Sequence, residues 1–454
     1  MTTYARRLGL FSATMAVIGG IIGGGIFRTP ASVAERVQSG PLFVVAWALG
    51  GVVALLGAFC FGELGARRPR AGGGYVYLRE TFGPLPAFLY GWALLLVITS
   101  GACAAVAKTF AGYFLNLTGL SDHLTVPVAV GAIVLLAGIN YVGVKPAAIS
   151  QNIFTILKLT ALATLIVVGL TLTVPYRPLA SSSVPAPSVG IVVALGSALV
   201  PILFTYGGWQ QTNFIAEEII EPERNLPRAL VLGVAVVVVV YLLANLSYLR
   251  VLGAEGLARS AAPAADLMRQ LLGPVGGTVI AAGIAVSTFG FLNLVILVTP
   301  RVFQAMAADG VFFKELAELH PKYRTPTAAI ALQAGWAIAL TLWQTFSQLV
   351  DYVSFADWIF FGAAVAGLFV YRKRDRTGEA AVKFKAPFYP LSPALFVIAA
   401  AYVVLSAVKS NFQNAIVGTA LLAAGIPVYY VFKTRRADGK EGAKQAEARS
   451  GTGE

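Results

Sequence analysis

Apolar residues along this chain neither alternate nor recur at helical spacing; they run on for about twenty positions at a time between short polar stretches. A helix that is apolar on every side is stable in hydrocarbon, and about twenty residues span a core about 30 Å thick. The pattern predicts spans at 8–35, 41–65, 84–117, 126–143, 147–173, 189–219, 227–252, 274–307, 326–345, 350–371, 391–408 and 414–432. The predicted fold class is an all-α polytopic membrane protein with 12 transmembrane helices and both termini on one side.

Two spans are interrupted. Gly19 to Phe27 reads Gly-Gly-Ile-Ile-Gly-Gly-Gly-Ile-Phe, and Gly207-Gly208 sits inside the sixth span. Glycine is poor at holding a helix, and broken backbone survives in lipid only where it lines a protected cavity. Breaks in the first and sixth spans have the spacing of two five-helix halves repeated with inverted topology, with substrate near the midplane. The chain then divides into a first repeat, 1–174 (helices 1 to 5), a second, 189–371 (helices 6 to 10), an accessory pair, 391–434, and a tail, 435–454, whose Gly, Lys, Glu and Ala predict a disordered cytoplasmic end.

The 454 residues are 57% hydrophobic and 12% charged, which excludes a string of soluble domains. The net charge of +13 does not point to nucleic acid, because the cations lie between apolar runs and form no basic face with interleaved aromatics. Positive-inside topology accounts for them and puts both tails in the cytoplasm of a plasma membrane, with a bacterial inner membrane the better fit. The first span is too long and too glycine-broken for a signal peptide. Cys60 and Cys103 fall inside spans, so no disulfide-linked subunit is expected. There is no Walker A motif, no His-Glu-x-x-His and only two histidines, so neither catalytic residues, metal nor cofactor is expected.

Unwinding at Ile21 to Gly25 frees carbonyls at one half-helix end and amides at the start of the next, which carry opposite partial charge. A zwitterion satisfies both. Its α-carboxylate takes the amides around Gly24 and Gly25, beside Gly23; its α-ammonium takes carbonyls near Ile21, Phe204 and Gly207, beside Thr205. Phe204, next to the second break, can swing as a gate, while Gln210, Ser287 and Phe291 shape the side-chain pocket. The competing explanation is that these glycines only let helices approach and that Tyr206 and Trp209 simply pack. Lys158, about 16 Å into the fifth span, must face the bundle and bond backbone carbonyls of a broken helix, a fixed cation where a bound sodium would otherwise sit. Lys108 lies near the outer end of its span and can snorkel. Glu63, Glu217, Glu218, Glu221 and Glu223, facing Arg67, Arg68, Arg224 and Arg228, read mainly as solvated charge of little energetic weight. No intramembrane acid is expected near the breaks, which argues against a cationic substrate.

At these residues the chain resembles the amino acid–polyamine–organocation superfamily, and within it the L-amino acid transporter family of heteromeric exchanger light subunits and their bacterial counterparts. Gly20 to Phe27 is similar to the first-span motif, usually with Ser where Gly24 stands. Phe204 to Trp209, Asn213-Phe214, Glu217-Glu218 and Pro222 to Pro227 are similar to the sixth. Phe154-Thr155 with Lys158-Leu159 resembles the fifth, Tyr352 to Phe355 with Ala366 to Leu368 the tenth, and Gly425 to Tyr430 the twelfth. The resemblance implies the leucine-transporter fold, alternating access and sodium-independent exchange of L-amino acids, with Lys158 in the place of sodium. The loop 118–125 has no cysteine for a heavy subunit, which implies a transporter that works alone. The expected function is exchange of neutral L-amino acids; a proton-coupled symporter and a substrate-sensing receptor of the same fold are the alternatives.

Overall fold

The computed structural model describes residues 3–172, 190–343, 346–375, 382–410 and 412–450. The span ends expected at 173, 189 and 344–345, residues 451–454 of the tail, and the side chains of the 352–355 motif lie outside what is described. The described backbone is helical apart from one isolated parallel bridge, Leu8 to Ile219.

The first run is two helices, α1 (Leu10–Ile21) and α2 (Thr29–Val37), joined by an extended Ile22 (φ −76°, ψ 92°) and a 3-10 turn at Gly25–Phe27. Then come α3 (Gly40–Arg67), the short amphipathic α4 (Gly74–Phe82), α5 (Pro84–Ala93) and α6 (Thr99–Thr118). A π-helical turn, Leu94–Ile98, joins α5 to α6, a feature that recurs at functional sites. α7 (Thr125–Tyr141) and α8 (Val144–Thr171) follow. The sixth run is α9 (Ile191–Thr205), a break at Tyr206–Gly208, and a 3-10 segment Trp209–Glu218. α10 (Pro222–Ala258) and α11 (Pro263–Val298) bend sharply at Gly253 and Gly273, both at positive φ, where the hydropathy reading ended one span and began another. α12 (Pro300–Ala308), α13 (Thr327–Trp343), α14 (Phe346–Asp375), α15 (Leu391–Ser410) and α16 (Phe412–Ser450) complete the chain.

Among the described residues nine helical runs are long and apolar enough to cross a membrane. The halves of the first run and α13 are shorter, as a broken or tightly packed span must be. α16 continues to Ser450.

The broken first run lies at the centre. α10 packs on α1 and α3, and α8 on α1 and α11. Polar side chains tie this layer together where lipid offers no hydrophobic drive. Asn140 donates to Asn293 (3.1 Å), Asn293 to Gln151 (3.0 Å), Gln151 to Thr155 (3.3 Å), and Thr155 to the Met15 carbonyl (3.1 Å).

Candidate functional site

α1 ends because glycines at 19, 20 and 23 to 25 offer no side-chain packing to sustain it, and because neighbouring side chains supply the partners its last carbonyls lose. Lys158 on α8 is fully buried, and its Nζ donates to Gly19 O (3.1 Å) and Ile22 O (2.8 Å). The ammonium therefore caps the negative end of the half-helix. Ser287 donates to Ile22 O and Gly23 O (both 3.3 Å), Tyr241 to Ile21 O (3.1 Å) and Tyr248 to Ile26 O (3.2 Å).

What these bonds leave over is chemically specific. Among the described residues the Gly24 and Gly25 amides meet no acceptor, and the Gly20 and Gly207 carbonyls meet no donor. Two free amides at the start of one half-helix therefore face two free carbonyls, the pair of polarities an α-amino acid carries. Ile21, expected to offer its carbonyl, already accepts from Tyr241 and from the Gly23 amide (2.9 Å); Gly20 is the acceptor left.

The two breaks touch. Gly208 adopts φ 108°, and a Cβ there would overlap the Gly20 carbonyl oxygen, so backbone meets backbone only because both positions lack side chains. Thr205 donates to Thr29 (2.9 Å), and the Gly208 amide donates to Gln210 Oε1 (3.0 Å). A Cβ on Gly25 would press on Thr205, whereas one on Gly24 would meet nothing within 4 Å.

A cavity of about 320 Å³ opens from this junction. Its wall includes Ile21, Gly23, Gly24, Gly25, Phe204, Thr205, Gly207, Gln210 and Phe291, which brings together nine of the ten residues expected to contact substrate. Ser287, the tenth, is buried behind the break and holds its carbonyls instead of lining the cavity. Phe204 is 45% exposed and free of the bundle, whereas Tyr206 packs within 5.8 Å of Trp47 and 5.1 Å of Tyr241 and Trp209 within 5.1 Å of Phe61, ring centre to ring centre. The packing explanation thus fits Tyr206 and Trp209 but not Phe204.

Sequence reading missed part of the wall. Ile98, Thr99, Gly101 and Ala105, at and after the π-helical turn, form one side. Asp357, with Trp358 and Phe361 on α14, forms another. An acid therefore does face the breaks, which removes the argument raised against cationic substrates. Its signal was an ionisable residue well inside an apolar span, the same signal that marked Lys158.

The cavity reaches Arg28, Thr29 and Thr109, and its wall includes no residue of the end that carries the N-terminus. That end is shut by an ionic layer. The Arg7 and Leu8 amides donate to Glu218 O (2.9 and 3.0 Å), and buried Glu218 pairs with buried Arg301 (2.7 Å). Buried Glu63 takes Arg67 and Arg372 (2.6 Å each) and the Ala386 amide (2.7 Å). Glu63 and Glu218 were expected mainly as solvated charge; of the partners expected, Arg67 does reach Glu63, whereas Arg372 for Glu63 and Arg301 for Glu218 come from distant segments that no local reading joins to them. Glu221 and Glu223 do remain at the surface, where Glu223, 2.7 Å from exposed Lys383, raises that ammonium above its ordinary value. Cys60 and Cys103 are buried free thiols in α3 and α6.

Known proteins resemble this chain over most of its length. The pattern that defines the amino acid permease family matches residues 8–432. The chain is 32% identical to the serine/threonine exchanger SteT of Bacillus subtilis (strain 168), over 95% of this chain and 98% of that protein. It is 31% identical to the human large neutral amino acids transporter small subunit 2, over 94% of this chain and 80% of that protein. It is 32% identical to the human b(0,+)-type amino acid transporter 1, over 90% and 84%.

Proposed function

The chain belongs to the amino acid permease family, and from that premise we propose that it exchanges neutral L-amino acids across a plasma membrane by alternating access and without sodium. Transport of amino acids by a multi-pass membrane protein, and not enzymatic chemistry, is what the family and the named relatives have in common. Nine long apolar runs, the broken first run, α13 and α14 support a reading with twelve spans, in which two five-helix halves are related by inversion and each opens on a broken helix.

The observation that carries the proposal is Lys158 Nζ bridging Gly19 O and Ile22 O at the unwound end of α1. A lysine ammonium there, carried by the chain itself, removes the need for a metal ion to organise the break. The substrate carboxylate then binds the Gly24 and Gly25 amides, the ammonium binds the Gly20 and Gly207 carbonyls, and Phe204 closes over the site. Small neutral side chains suit the mostly apolar wall. The cavity opens away from the N-terminal end, so with cytoplasmic termini the protein is outward-facing, and cycling requires the buried ionic layer to part. The loop 118–125 offers no cysteine, which supports a transporter that works without a disulfide-linked second subunit.

The test is uptake of labelled L-alanine, L-serine and L-leucine into proteoliposomes, with and without internal amino acid, sodium and a proton gradient. Exchange predicts uptake that requires internal amino acid and ignores both ions. Accumulation in empty vesicles that follows the proton gradient would replace the exchanger with a symporter.

A further inference from the structure

Asp357 is the acid in the cavity wall, and Arg28, far out toward the mouth, is the only cationic residue that shares the wall with it among the described residues. No hydrogen bond or ion pair engages the Asp357 carboxylate among those residues. Elsewhere the buried acids of the described bundle are served by cations of the chain itself, Glu63 by Arg67 and Arg372 and Glu218 by Arg301. A carboxylate at membrane depth without a counter-charge is costly, so an ionised Asp357 is matched by a positive charge that comes with whatever fills the cavity. The backbone already provides for both α-groups, through the Gly24 and Gly25 amides and the Gly20 and Gly207 carbonyls. The charge that Asp357 can meet is therefore a third one, on the substrate's side chain. Its wall neighbours Trp358 and Phe361 make this part of the wall aromatic, which suits an aliphatic stem whose charged tip meets the acid.

We propose that Asp357 is a specificity-determining residue that receives the ω-ammonium or guanidinium of a basic L-amino acid, so that the site accepts side chains of the lysine, ornithine and arginine class besides neutral ones. The proposal rests on the exchange reading of the same cavity. It has a consequence that neutral exchange lacks: trading an external basic amino acid for an internal neutral one moves one positive charge inward per cycle and responds to membrane potential.

The experiment loads proteoliposomes with L-alanine and measures entry of labelled L-lysine and L-alanine for the native protein, Asp357→Asn and Asp357→Glu, with and without an inside-negative potential. The native protein is expected to take up both, with only lysine entry accelerated by the potential. Asp357→Asn is expected to lower kcat/KM for lysine by at least about tenfold while leaving alanine within about threefold, with Asp357→Glu recovering part of the lysine uptake. Native protein that exchanges alanine but not lysine would overturn this inference and leave the exchange reading standing; native protein that exchanges neither would overturn both. An equal loss of alanine and lysine in Asp357→Asn would assign the acid to the α-ammonium or to structure. If the variants do not fold, competition against alanine exchange by the native protein decides: L-lysine is expected to inhibit at lower concentration than L-norleucine, which is the same chain without the ammonium, and the reverse order would contradict the proposal.

Discussion

Lys158 shows how much a single residue discloses when its environment is fixed by physics. A lysine in the middle of a membrane helix has few ways to be satisfied, and the one found here, two carbonyls of a broken neighbour, follows from depth alone. Lys158→Ala is expected to slow exchange at least about tenfold, because the break loses its cap, while purified protein still elutes as a folded species; unchanged rates in proteoliposomes would take Lys158 out of the mechanism. The two glycine breaks make an equally sharp contrast. Gly208→Ala puts a methyl group onto the Gly20 carbonyl at a left-handed φ, costing about 1–3 kcal/mol in backbone strain alone, and is expected to abolish exchange. Gly24→Ser has open space for its Cβ and adds a hydroxyl beside the carboxylate site, worth about 0.5–1.5 kcal/mol if it donates, so KM is expected to hold or fall. The exchange rate of Gly208→Ala and the KM of Gly24→Ser check the two. Gly24, Gly25 and Lys158 stood out because each departs from a rule that lipid enforces, and Phe204 because it adjoins the second break. Asp357 breaks the same rule and was passed over, while Tyr241 and Tyr248 are ordinary residues in an apolar run, and only the folded contacts reveal that they hold the Ile21 and Ile26 carbonyls.

Helices were legible wherever length and apolarity sufficed, and even the bends at Gly253 and Gly273 had their trace at the chosen span ends. What the apolar pattern cannot carry is partnership between distant elements. The Glu218 side chain at the end of the sixth run finds Arg301 on α12, and Glu63 on α3 finds Arg372 on α14, across 83 and 309 residues of sequence. Charges that looked solvated are therefore buried and mutually dependent. Arg301→Met leaves Glu218 buried without its counter-ion and is expected to destabilise the protein by about 3–5 kcal/mol; the double variant with Glu218→Gln is expected to be less destabilised than Arg301→Met alone. Thermal unfolding in detergent checks the order, and additive losses would mean that the pair does not act as a unit. The π-helical turn at Leu94–Ile98 had no sequence signal either, since its residues, Leu-Leu-Leu-Val-Ile, differ in no way from the apolar helix around them.

For the molecule as a whole, the orientation proposed from Lys and Arg distribution would make the cavity outward-facing and the ionic layer the cytoplasmic seal. With both native cysteines buried, single cysteines report sidedness without background. Gly119→Cys, after α6, is expected to react with an impermeant maleimide on intact cells, and Lys322→Cys, between α12 and α13, only after the cells are opened; the reverse would invert the topology. The central claim is narrower than topology: an amino acid lies between the two breaks, held by backbone. A structure with bound L-alanine tests it most directly. The account predicts the α-carboxylate within hydrogen-bond distance of the Gly24 and Gly25 amides, the α-ammonium on the Gly20 and Gly207 carbonyls and Phe204 over the ligand. Substrate bound away from these glycines, or a first span that closes into one continuous helix around it, would contradict the account.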